Sequence, residues 1–377
     1  MKYFCFLTQN KKLYVILIDV ILFVILATIS IGIAEVIIRY RIGAWPFELP
    51  IKKMTYLTEK DTYLKWRFSP LNGRNALGLR NREITTKDKE SFRILFLGDS
   101  LVWGGDTSMG ELYTEVIENK LNANSLLKKR IEIINAGVPG YTTFQELEFL
   151  KQYGWDMQPD FIILGFVFND VYFKYLHRPT EKNTLDTDPS VWLHRFNTNS
   201  FPGALFSKSF FMHECYYRIE RILHKLRKDP RFEFESRLDF YLAWKEYGWD
   251  NADNLIRLMS TQLNSRNIPF LIVIFPVRDQ VDENSLRTSY EYVLYPQKRI
   301  IEICKKNNIP FIDLTRQLYK HGGTKLFKDY LHLNRQGNDV VAELLLEHLK
   351  KYLQEIGTFP KGASHEAETG KRKLFLR

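Results

Sequence analysis

The sequence has few cysteines, and this excludes a disulfide-stabilised scaffold. Cys5, Cys215 and Cys304 are widely separated in a chain of 377 residues. They form neither a disulfide framework nor the paired spacing of a zinc site. We therefore expect unpaired structural thiols, with Cys304 inside a helix that packs on the protein body. No other cluster has metal-ligand spacing, so we expect neither a metal ion nor a cofactor.

The glycine patterns that bind nucleotides are missing as well. The 20 glycines form neither a P-loop nor a Gly-x-Gly-x-x-Gly fingerprint. A net charge of +10 would suit a nucleic-acid partner. The positive residues are scattered, however, and no zinc-finger, RNP-like or basic-helix pattern accompanies them. We therefore expect no nucleic-acid partner and attribute the charge to a nearby anionic lipid surface.

One long apolar run near the N-terminus indicates a membrane segment. Residues 13–38 would reach about 39 Å as a helix, enough to cross a hydrocarbon core of about 30 Å. Asp19 and Glu35 are its only acidic residues. A cleavable signal peptide is the alternative, because Lys11 and Lys12 precede the run. The length of the run and the absence of an Ala-x-Ala site favour an uncleaved single-pass anchor.

The remainder of the chain divides by composition. A short segment, residues 1–12, precedes the anchor. Residues 39–91 have the polar, proline-containing character of a stalk or linker, and residues 92–353 have the pattern of a folded domain. Residues 354–377 form a polar, basic tail. Lysine and arginine flank the anchor on both sides, so the positive-inside rule is nearly balanced and leaves the orientation open.

Short apolar runs alternate with helical patterns from residue 92 onward. Such runs are typical of parallel strands that are covered on both faces. Five of them, separated by helices, predict an α/β fold, a three-layer α/β/α sandwich with a five-stranded parallel sheet. The predicted strands are Ile94–Leu97, Ile131–Ile134, Phe161–Leu164, Phe270–Phe275 and Phe311–Leu314. The predicted helices lie near residues 110–123, 143–153, 252–265, 289–307 and 335–353.

One interval interrupts the alternation. Residues 171–248 form a long, aromatic and basic stretch between the third and fourth strands. A structureless loop of this length is improbable in a compact domain. We therefore expect a helical insertion that covers the active-site end, with residues 211–226 amphipathic. Two interpretations of this amphipathic segment are open: it packs against the body of the domain, or it forms a substrate lid or a membrane-facing surface.

A serine follows the first predicted strand. Gly98 allows a tight exit from the sheet, and Ser100 then lies at the carboxyl end, where open α/β folds bind ligands. A serine there acts as a nucleophile only when a base and an oxyanion site are supplied from elsewhere. Asp329 and His332, three residues apart before the last helical pattern, have the side chains of the acid and base that this chemistry requires.

Two more segments of this kind follow the next two strands. Asn135-Ala-Gly137-Val-Pro-Gly140 follows the second strand, and glycine at such a bend brings a backbone N–H close to a ligand. Gly165-Phe-Val-Phe-Asn169-Asp170 follows the third strand. There the side-chain amide of Asn169 is a candidate donor to an oxyanion.

The four blocks together resemble the SGNH (GDSL-type) hydrolase family over about residues 92–353. A Gly-Asp-Ser tripeptide alone is common, whereas four blocks in order, each at or just beyond the end of a strand, are specific. The resemblance implies the flavodoxin-like SGNH hydrolase fold. It implies Ser100 as nucleophile, His332 as its base and Asp329 as the acid that orients the imidazole. It also implies an oxyanion hole made by the backbone N–H groups of Ser100 and Gly140 and the side-chain amide of Asn169.

Two details depart from the family pattern. The third block usually reads Gly-x-Asn-Asp, whereas here Val167 stands where that pattern has glycine. The second block offers two glycines, and we choose Gly140 over Gly137 because the Asn-Ala-x-x-x-Gly frame fits the family better. Asp99 and Asp170, which adjoin the predicted site, are interpreted as structural residues that cap helices or hold loops.

The resemblance and the anchor together imply a membrane-bound serine esterase that acts through an acyl-enzyme. Membrane-tethered members of this family commonly act on O-acetyl groups of cell-surface polysaccharides, which makes a carbohydrate ester the expected substrate. The resemblance to these family members also favours a cytoplasmic N-terminal segment and a periplasmic or extracellular catalytic domain. Two alternatives stay open: O-acyl transfer to a sugar hydroxyl with a multi-spanning membrane partner, and a non-catalytic binding or scaffold protein of the cell envelope.

Overall fold

The computed structural model describes residues 2–41, 58–70, 73–105, 107–123, 128–172 and 240–355, with short pieces between residues 175 and 226. By its internal contacts the chain divides into two units. One contains Met1–Lys52 and Trp192–Leu226, and the other contains Lys53–Val191 and Arg227–Arg377. All four sequence blocks of the predicted site belong to the second unit.

The second unit is built on the predicted five-stranded parallel sheet. Its strands are β1 (Ser91–Gly98), β2 (Arg130–Gly137), β3 (Phe161–Phe166), β4 (Phe270–Ile274) and β5 (Phe311–Asp313). The spatial order is β2-β1-β3-β4-β5, and every neighbouring pair is parallel. This is the flavodoxin-like order. Strands β1, β3 and β4 are buried along their whole length, which explains why β3 and β4 are apolar throughout and why β1 is apolar from Ile94 onward.

Helices flank the sheet in two layers, which confirms the α/β/α architecture. The helix that follows β2 packs against the long helix that follows β3, and the helix that follows β1 packs against the last helix of the unit. Right-handed crossovers place these two pairs on opposite faces of the sheet. The helices are α2 (Ser100–Trp103), α3 (Tyr113–Asn122), α4 (Thr143–Phe149), α5 (Glu246–Asn264), α6 (Glu283–Val293), α7 (Tyr295–Lys306), α8 (Thr315–Lys320) and α9 (Arg335–Glu355).

Two helix boundaries differ from the prediction for identifiable reasons. The helix predicted over residues 289–307 is two helices, α6 and α7, because Pro296 lies in the first turn of α7, a position that suits the start of a helix and not its interior. Helix α5 begins at Glu246, earlier than residue 252. Cys304 is fully buried in α7, as predicted, and burial raises the pKa of its thiol to about 12.

The region predicted as a stalk or linker, residues 39–91, is partly built into the domain. Thr58–Asp61 and Lys65–Phe68 form an antiparallel hairpin, here called the N-terminal hairpin. Trp66 and Phe68 are buried in the domain core, and burial of such a side chain contributes roughly 1.5–3 kcal/mol. The Tyr141 hydroxyl donates to the Trp66 carbonyl at 2.9 Å. The folded domain therefore begins near residue 58 instead of residue 92.

The first unit contains the N-terminal helix α1 (Lys2–Arg41). Within it, Val15–Ile37 is long and apolar enough to cross a membrane, in agreement with the predicted segment 13–38. A membrane anchor and a signal sequence share these features. Near the end of this span the Glu35 carboxylate accepts hydrogen bonds from the Ser209 hydroxyl at 2.8 Å and from the Phe211 N–H at 2.7 Å.

Most of the predicted insertion, residues 171–248, lies outside the described residues, as do His194, His213 and His224. A short antiparallel hairpin, His177–Pro179 with Leu185–Thr187, departs from the expected helical content. The described positions between residues 211 and 226 are helical, as predicted. At the other end of the interval, residues 240–248 already belong to the body of the domain, because Phe240 and Trp244 are buried in its core. The basic tail beyond residue 355 also lies outside the described part of the chain.

Candidate active site

Three of the predicted site residues follow the carboxyl ends of β1, β2 and β3, where the strand order reverses, whereas the predicted acid and base lie in the turn before α9. In open α/β sheets this switch point forms a ligand-binding crevice. Three glycines lie side by side there, with Gly98 paired to Gly137 on one side and to Gly165 on the other. A Cβ atom on any of the three would lie closer than 3.0 Å to Val102. This glycine row allows α2, which carries Ser100, to pack directly on the sheet.

Ser100 is the first residue of α2 and is 8% exposed. Asp99 caps this helix, since its Oδ1 accepts a hydrogen bond from the Leu101 N–H at 2.9 Å. The predicted capping role of Asp99 is therefore confirmed. The Ser100 N–H lies in the first turn of the helix, where the helix itself supplies no acceptor.

Gly140 lies in a tight turn after β2. The Tyr141 N–H donates to the Val138 carbonyl at 3.0 Å, and Gly140 has a φ of +81°, which favours glycine at the third position of a type II turn. The Gly137 N–H is already used, because it donates to Asn135 Oδ1 at 3.0 Å. The Gly140 N–H has no acceptor among the described residues.

Asn169 lies in a short 3₁₀ turn, Phe168–Val171, directly after β3, and is 4% exposed. The loop before it accommodates valine without strain, because Val167 has an extended backbone with φ −137°. The departure from glycine at this position therefore leaves the loop geometry undisturbed. Asp170 closes the loop, since its Oδ2 accepts from the Val167 N–H at 2.8 Å, which agrees with the structural role predicted for it.

Asp329 and His332 form a compact turn before α9. Asp329 Oδ1 accepts from the backbone N–H groups of Leu331 at 2.8 Å and His332 at 2.7 Å. Asp329 Oδ2 lies 2.8 Å from His332 Nδ1. Partial burial opposes ionisation of Asp329, but the hydrogen bonds from His332 and Leu331 outweigh it and hold the pKa of this carboxyl well below its usual value. The acid therefore stays ionised beside the imidazole.

The two halves of the predicted site meet at the serine hydroxyl. His332 Nε2 lies 2.9 Å from Ser100 Oγ, across 232 positions of sequence. For Nε2 to accept the serine proton, the imidazole must carry its own proton on Nδ1, where it donates to Asp329. The structure thus brings together Ser100, His332 and Asp329 in one chain of hydrogen bonds, the arrangement that activates a serine nucleophile.

One contact at this site was not anticipated. Asn169 Nδ2 donates to Asp99 Oδ2 at 2.8 Å, and the Ser100 hydroxyl lies 3.4 Å from the same oxygen. Asp99 is therefore more than a helix cap. A Gly-Asp-Ser sequence followed 70 positions later by an asparagine carries no signal for this pairing, which only the adjacency of β1 and β3 creates.

Three buried carboxyl groups lie behind the serine: Asp99, Glu146 and Asp170. Burial raises the pKa of Glu146 and of Asp170 well above the usual range, and repulsion between these two and from Asp99 adds to the shift. Burial also raises the pKa of Asp99, but hydrogen bonds from the Leu101 N–H and Asn169 oppose the change. The described residues contain no group of three or more His, Cys, Asp or Glu side chains placed to hold a metal ion.

A parallel α/β sheet that brings a serine, an imidazole and a carboxylate into hydrogen-bond contact is an arrangement found in serine hydrolases. The model of the GDSL-like lipase/acylhydrolase family matches residues 96–340. The chain belongs to this family and is an ester-hydrolysing enzyme of the SGNH type. This confirms the resemblance drawn from the four sequence blocks. The chain matched none of the curated proteins with which it was compared.

Solved structures with a similar fold include several esterases. The acetyl xylan esterase AlAXEase is 16% identical, with a TM-score of 0.42, over 68% of this chain and 100% of that chain. A lipase/acylhydrolase from Enterococcus faecalis is 15% identical, with a TM-score of 0.39, over 69% and 96%. A catalytic mutant of Axe2, an acetylxylan esterase from Geobacillus stearothermophilus, is 14% identical, with a TM-score of 0.41, over 68% and 94%.

Proposed function

We propose that the protein is a membrane-anchored serine esterase that cleaves O-acyl esters through a Ser100 acyl-enzyme. The observation that carries the proposal is the 2.9 Å contact between Ser100 Oγ and His332 Nε2, with Asp329 Oδ2 2.8 Å from the other ring nitrogen. A serine hydroxyl is a weak nucleophile until an adjacent base takes its proton. His332 is the proposed base, and its Nε2 lies within hydrogen-bond distance of Ser100 Oγ.

In the first half-reaction Ser100 Oγ attacks the carbonyl carbon of the ester. Its proton moves to His332 Nε2, and the carbonyl π electrons move to the oxygen, which becomes an oxyanion. Asp329 stabilises the resulting imidazolium through Nδ1–H. The tetrahedral intermediate then collapses: the carbon–alkoxide bond breaks, His332 returns its proton to the leaving alcohol, and the acyl group stays on Ser100.

Three donors are proposed for the oxyanion hole. The Ser100 and Gly140 N–H groups are peptide donors at the strand ends, and Gly137 is unsuitable because its N–H is occupied by Asn135. The Asn169 amide nitrogen carries two hydrogens, of which Asp99 accepts one. The second is the proposed donor to the oxyanion. Fixed donors in a buried site stabilise the developing charge without reorganisation.

The second half-reaction repeats the first with water as the nucleophile. His332 takes a proton from water, the hydroxide oxygen attacks the acyl carbon, and the bond to Ser100 Oγ breaks as His332 returns the proton to it. Enzyme and carboxylic acid are released. If a sugar hydroxyl replaces water, the same steps give acyl transfer, so the competition between water and acceptor separates hydrolase from transferase.

The proposed substrate is an O-acetyl group on a cell-envelope polysaccharide. This assignment rests on what the family implies and on α1, whose apolar span Val15–Ile37 would hold the catalytic unit at a membrane surface outside the cytoplasm. A reporter fused after residue 377 is expected to be active only outside the cytoplasm. Reporter activity in the cytoplasm would contradict this placement.

Hydrolysis of p-nitrophenyl acetate by the full-length protein in detergent tests the proposal. Wild type should release p-nitrophenol with a burst if deacylation is slow, and Ser100→Ala should lose roughly 10⁴–10⁶ in kcat, as removal of a triad serine does elsewhere. Equal activity in wild type and Ser100→Ala would show that another group performs the chemistry. Adding acetylated xylan and free xylo-oligosaccharide distinguishes hydrolysis from transfer, because only transfer forms newly acetylated sugar.

A further inference from the structure

The side-chain amide of Asn169 has a single anchor among the described residues. Its nitrogen donates to Asp99 Oδ2 at 2.8 Å, while its oxygen, Oδ1, is buried without a hydrogen-bond partner. An asparagine side chain is nearly symmetric in shape, so packing alone does not distinguish nitrogen from oxygen. The choice between the two orientations therefore depends on what faces the amide.

Asp99 presents only acceptors to this amide when it is ionised. Its Oδ1 is occupied by the Leu101 N–H, which leaves Oδ2 for Asn169. The two neighbouring carboxyls differ from it: Glu146 has no hydrogen-bond donor to either oxygen within the described residues, and Asp170 has one oxygen without a partner. Donors converge on Asp99, so Asp99 is the member of the three that is best able to carry the negative charge.

We propose that Asp99 is a positioning residue that holds the nitrogen of the Asn169 amide, instead of its oxygen, towards the oxyanion. The inference rests on the proposed function, since it assumes that Asn169 donates to the transition state. If the amide turned over, a carbonyl oxygen would occupy the nitrogen position. The nitrogen would then lie where the unpartnered oxygen now lies, away from its present contact with Asp99.

Asp99→Asn is the sharpest test, because asparagine is as good a helix cap as aspartate. The carbonyl oxygen of the introduced amide still accepts from the Leu101 N–H, which forces the introduced NH₂ group to face the NH₂ group of Asn169. Two donors repel each other, so Asn169 turns its oxygen towards the introduced amide. We expect kcat for p-nitrophenyl acetate to fall roughly 10²–10³-fold with KM unchanged, the cost of one oxyanion donor.

The double variant Asp99→Asn/Asn169→Ala shows whether Asp99 acts through Asn169 or affects kcat independently of it. If Asp99 acts through Asn169, Asp99→Asn combined with Asn169→Ala should have the same kcat as Asn169→Ala alone. Independent roles would multiply the two losses to roughly 10⁴–10⁶-fold. A multiplied loss would overturn the inference.

Asp313→Asn is the matched control. Asp313 ends β5, one position before the N-cap of α8, and its Oδ1 accepts from the Thr315 N–H at 3.0 Å, so its carboxylate binds a backbone N–H two positions on, as that of Asp99 does. It has no hydrogen bond to Ser100 or Asn169. Its kcat and KM should equal those of wild type. An equal loss of kcat in Asp313→Asn and Asp99→Asn would show that Asp99 only caps its helix and does not position Asn169.

The remaining outcomes are also decisive. Wild-type kcat in Asp99→Asn, with a loss in Asn169→Ala, overturns this inference and leaves the esterase proposal intact. Wild-type activity in Ser100→Ala overturns the esterase proposal itself.

If Asp99→Asn does not fold, Asp99→Ser repeats the test, because serine also caps a helix but does not reach Asn169 as the carboxylate does. For Asp99→Ser we expect the same fall in kcat as for Asp99→Asn, and the same lack of a further loss when it is combined with Asn169→Ala.

Discussion

The two halves of the proposed active site are built in opposite ways. The half that contains Asp329 and His332 is a single turn, in which the carboxylate of Asp329 accepts only from residues two and three positions further along the chain, and its two side chains are 39% and 26% exposed. The half that contains Ser100 and Asn169 is assembled from three strands and is at most 8% exposed. One half is local and partly solvated, and the other is non-local and buried.

This difference separates two tasks of the enzyme. In the proposed mechanism the acid and base exchange protons with substrate and water, which suits a solvent-accessible turn. The proposed oxyanion donors must face the same point without solvent, which requires rigid elements packed at the sheet edge. Substitutions in the local half should therefore change kcat with little loss of stability, and substitutions in the buried half should change both.

The largest expected effect in the local half comes from His332→Ala. Loss of the proposed base should lower kcat for p-nitrophenyl acetate by roughly 10⁴–10⁶-fold, because His332 Nε2, at 2.9 Å, lies closer to the Ser100 hydroxyl than Asp99 Oδ2 does, at 3.4 Å. The thermal unfolding midpoint should change little, since the ring is partly exposed. A large fall in the unfolding midpoint would show that the Asp329–His332 turn also stabilises the fold. It would contradict the expectation that substitutions in this half change kcat with little loss of stability.

Asp329→Asn should lower kcat by about 10⁴-fold. The amide would accept from the backbone N–H groups as before, but its NH₂ group would face His332 Nδ1 and favour the tautomer with the proton on Nε2, which cannot accept from Ser100. Steady-state kinetics would measure the loss. A variant that retains more than about a tenth of wild-type kcat would remove Asp329 from the site.

The buried half is tested by Gly137→Ala. An added Cβ would meet the backbone of α2 at Val102 and Trp103, so we expect a loss of about 1–3 kcal/mol in the free energy of unfolding. Displacement of α2 should also lower kcat, by up to about 10²-fold. Chemical denaturation and the p-nitrophenyl acetate assay would measure both.

Gly110→Ala is the control for this prediction. Gly110 has no neighbour within 4 Å of an added Cβ, so its free energy of unfolding should stay within about 0.5 kcal/mol of wild type. Equal stabilities for Gly137→Ala and Gly110→Ala would contradict the proposed role of the glycine row.

The smallest expected effect is the pH dependence of stability in the local half. The pKa of Asp329 is lower in the folded protein than in the unfolded chain, where it is about 3.9. The ionised carboxyl therefore stabilises the fold above that pH, and this contribution is lost as the pH falls through the folded-state pKa. At pH 7 the unfolding midpoint of Asp329→Asn should be lower than wild type by on the order of 1–3 °C. The difference should shrink below about pH 4; a difference that grows there has the wrong sign.

The half that contains Asp329 and His332 could be predicted from the sequence, because the three-residue spacing of these two side chains determines that they lie on the same turn. An acid three positions before a histidine, ahead of a helix, places both side chains on one turn, and the structure has the 2.8 Å contact that this spacing predicts. The central strands could also be predicted from the sequence, because β1, β3 and β4 are buried on both faces and such strands are rich in apolar residues. Their order was implied by the family resemblance and not by periodicity.

The buried half was only partly readable. The Asp99–Asn169 contact joins residues 70 positions apart, and the glycine row becomes visible only when the register of β1, β2 and β3 is known. The two strands of the N-terminal hairpin were not predicted, because Lys65-Trp66-Arg67-Phe68 is too short to show a strand pattern against its polar surroundings. Its buried face is recognised only where it packs against residues such as Tyr141.

Covalent trapping tests the central claim most directly. A fluorophosphonate reacts with a serine whose proton is taken by an adjacent base, and peptide mapping by mass spectrometry locates the adduct. We expect one adduct per full-length chain, on Ser100, and none in Ser100→Ala or His332→Ala. An adduct on another residue, or none in protein that still hydrolyses p-nitrophenyl acetate, would contradict it.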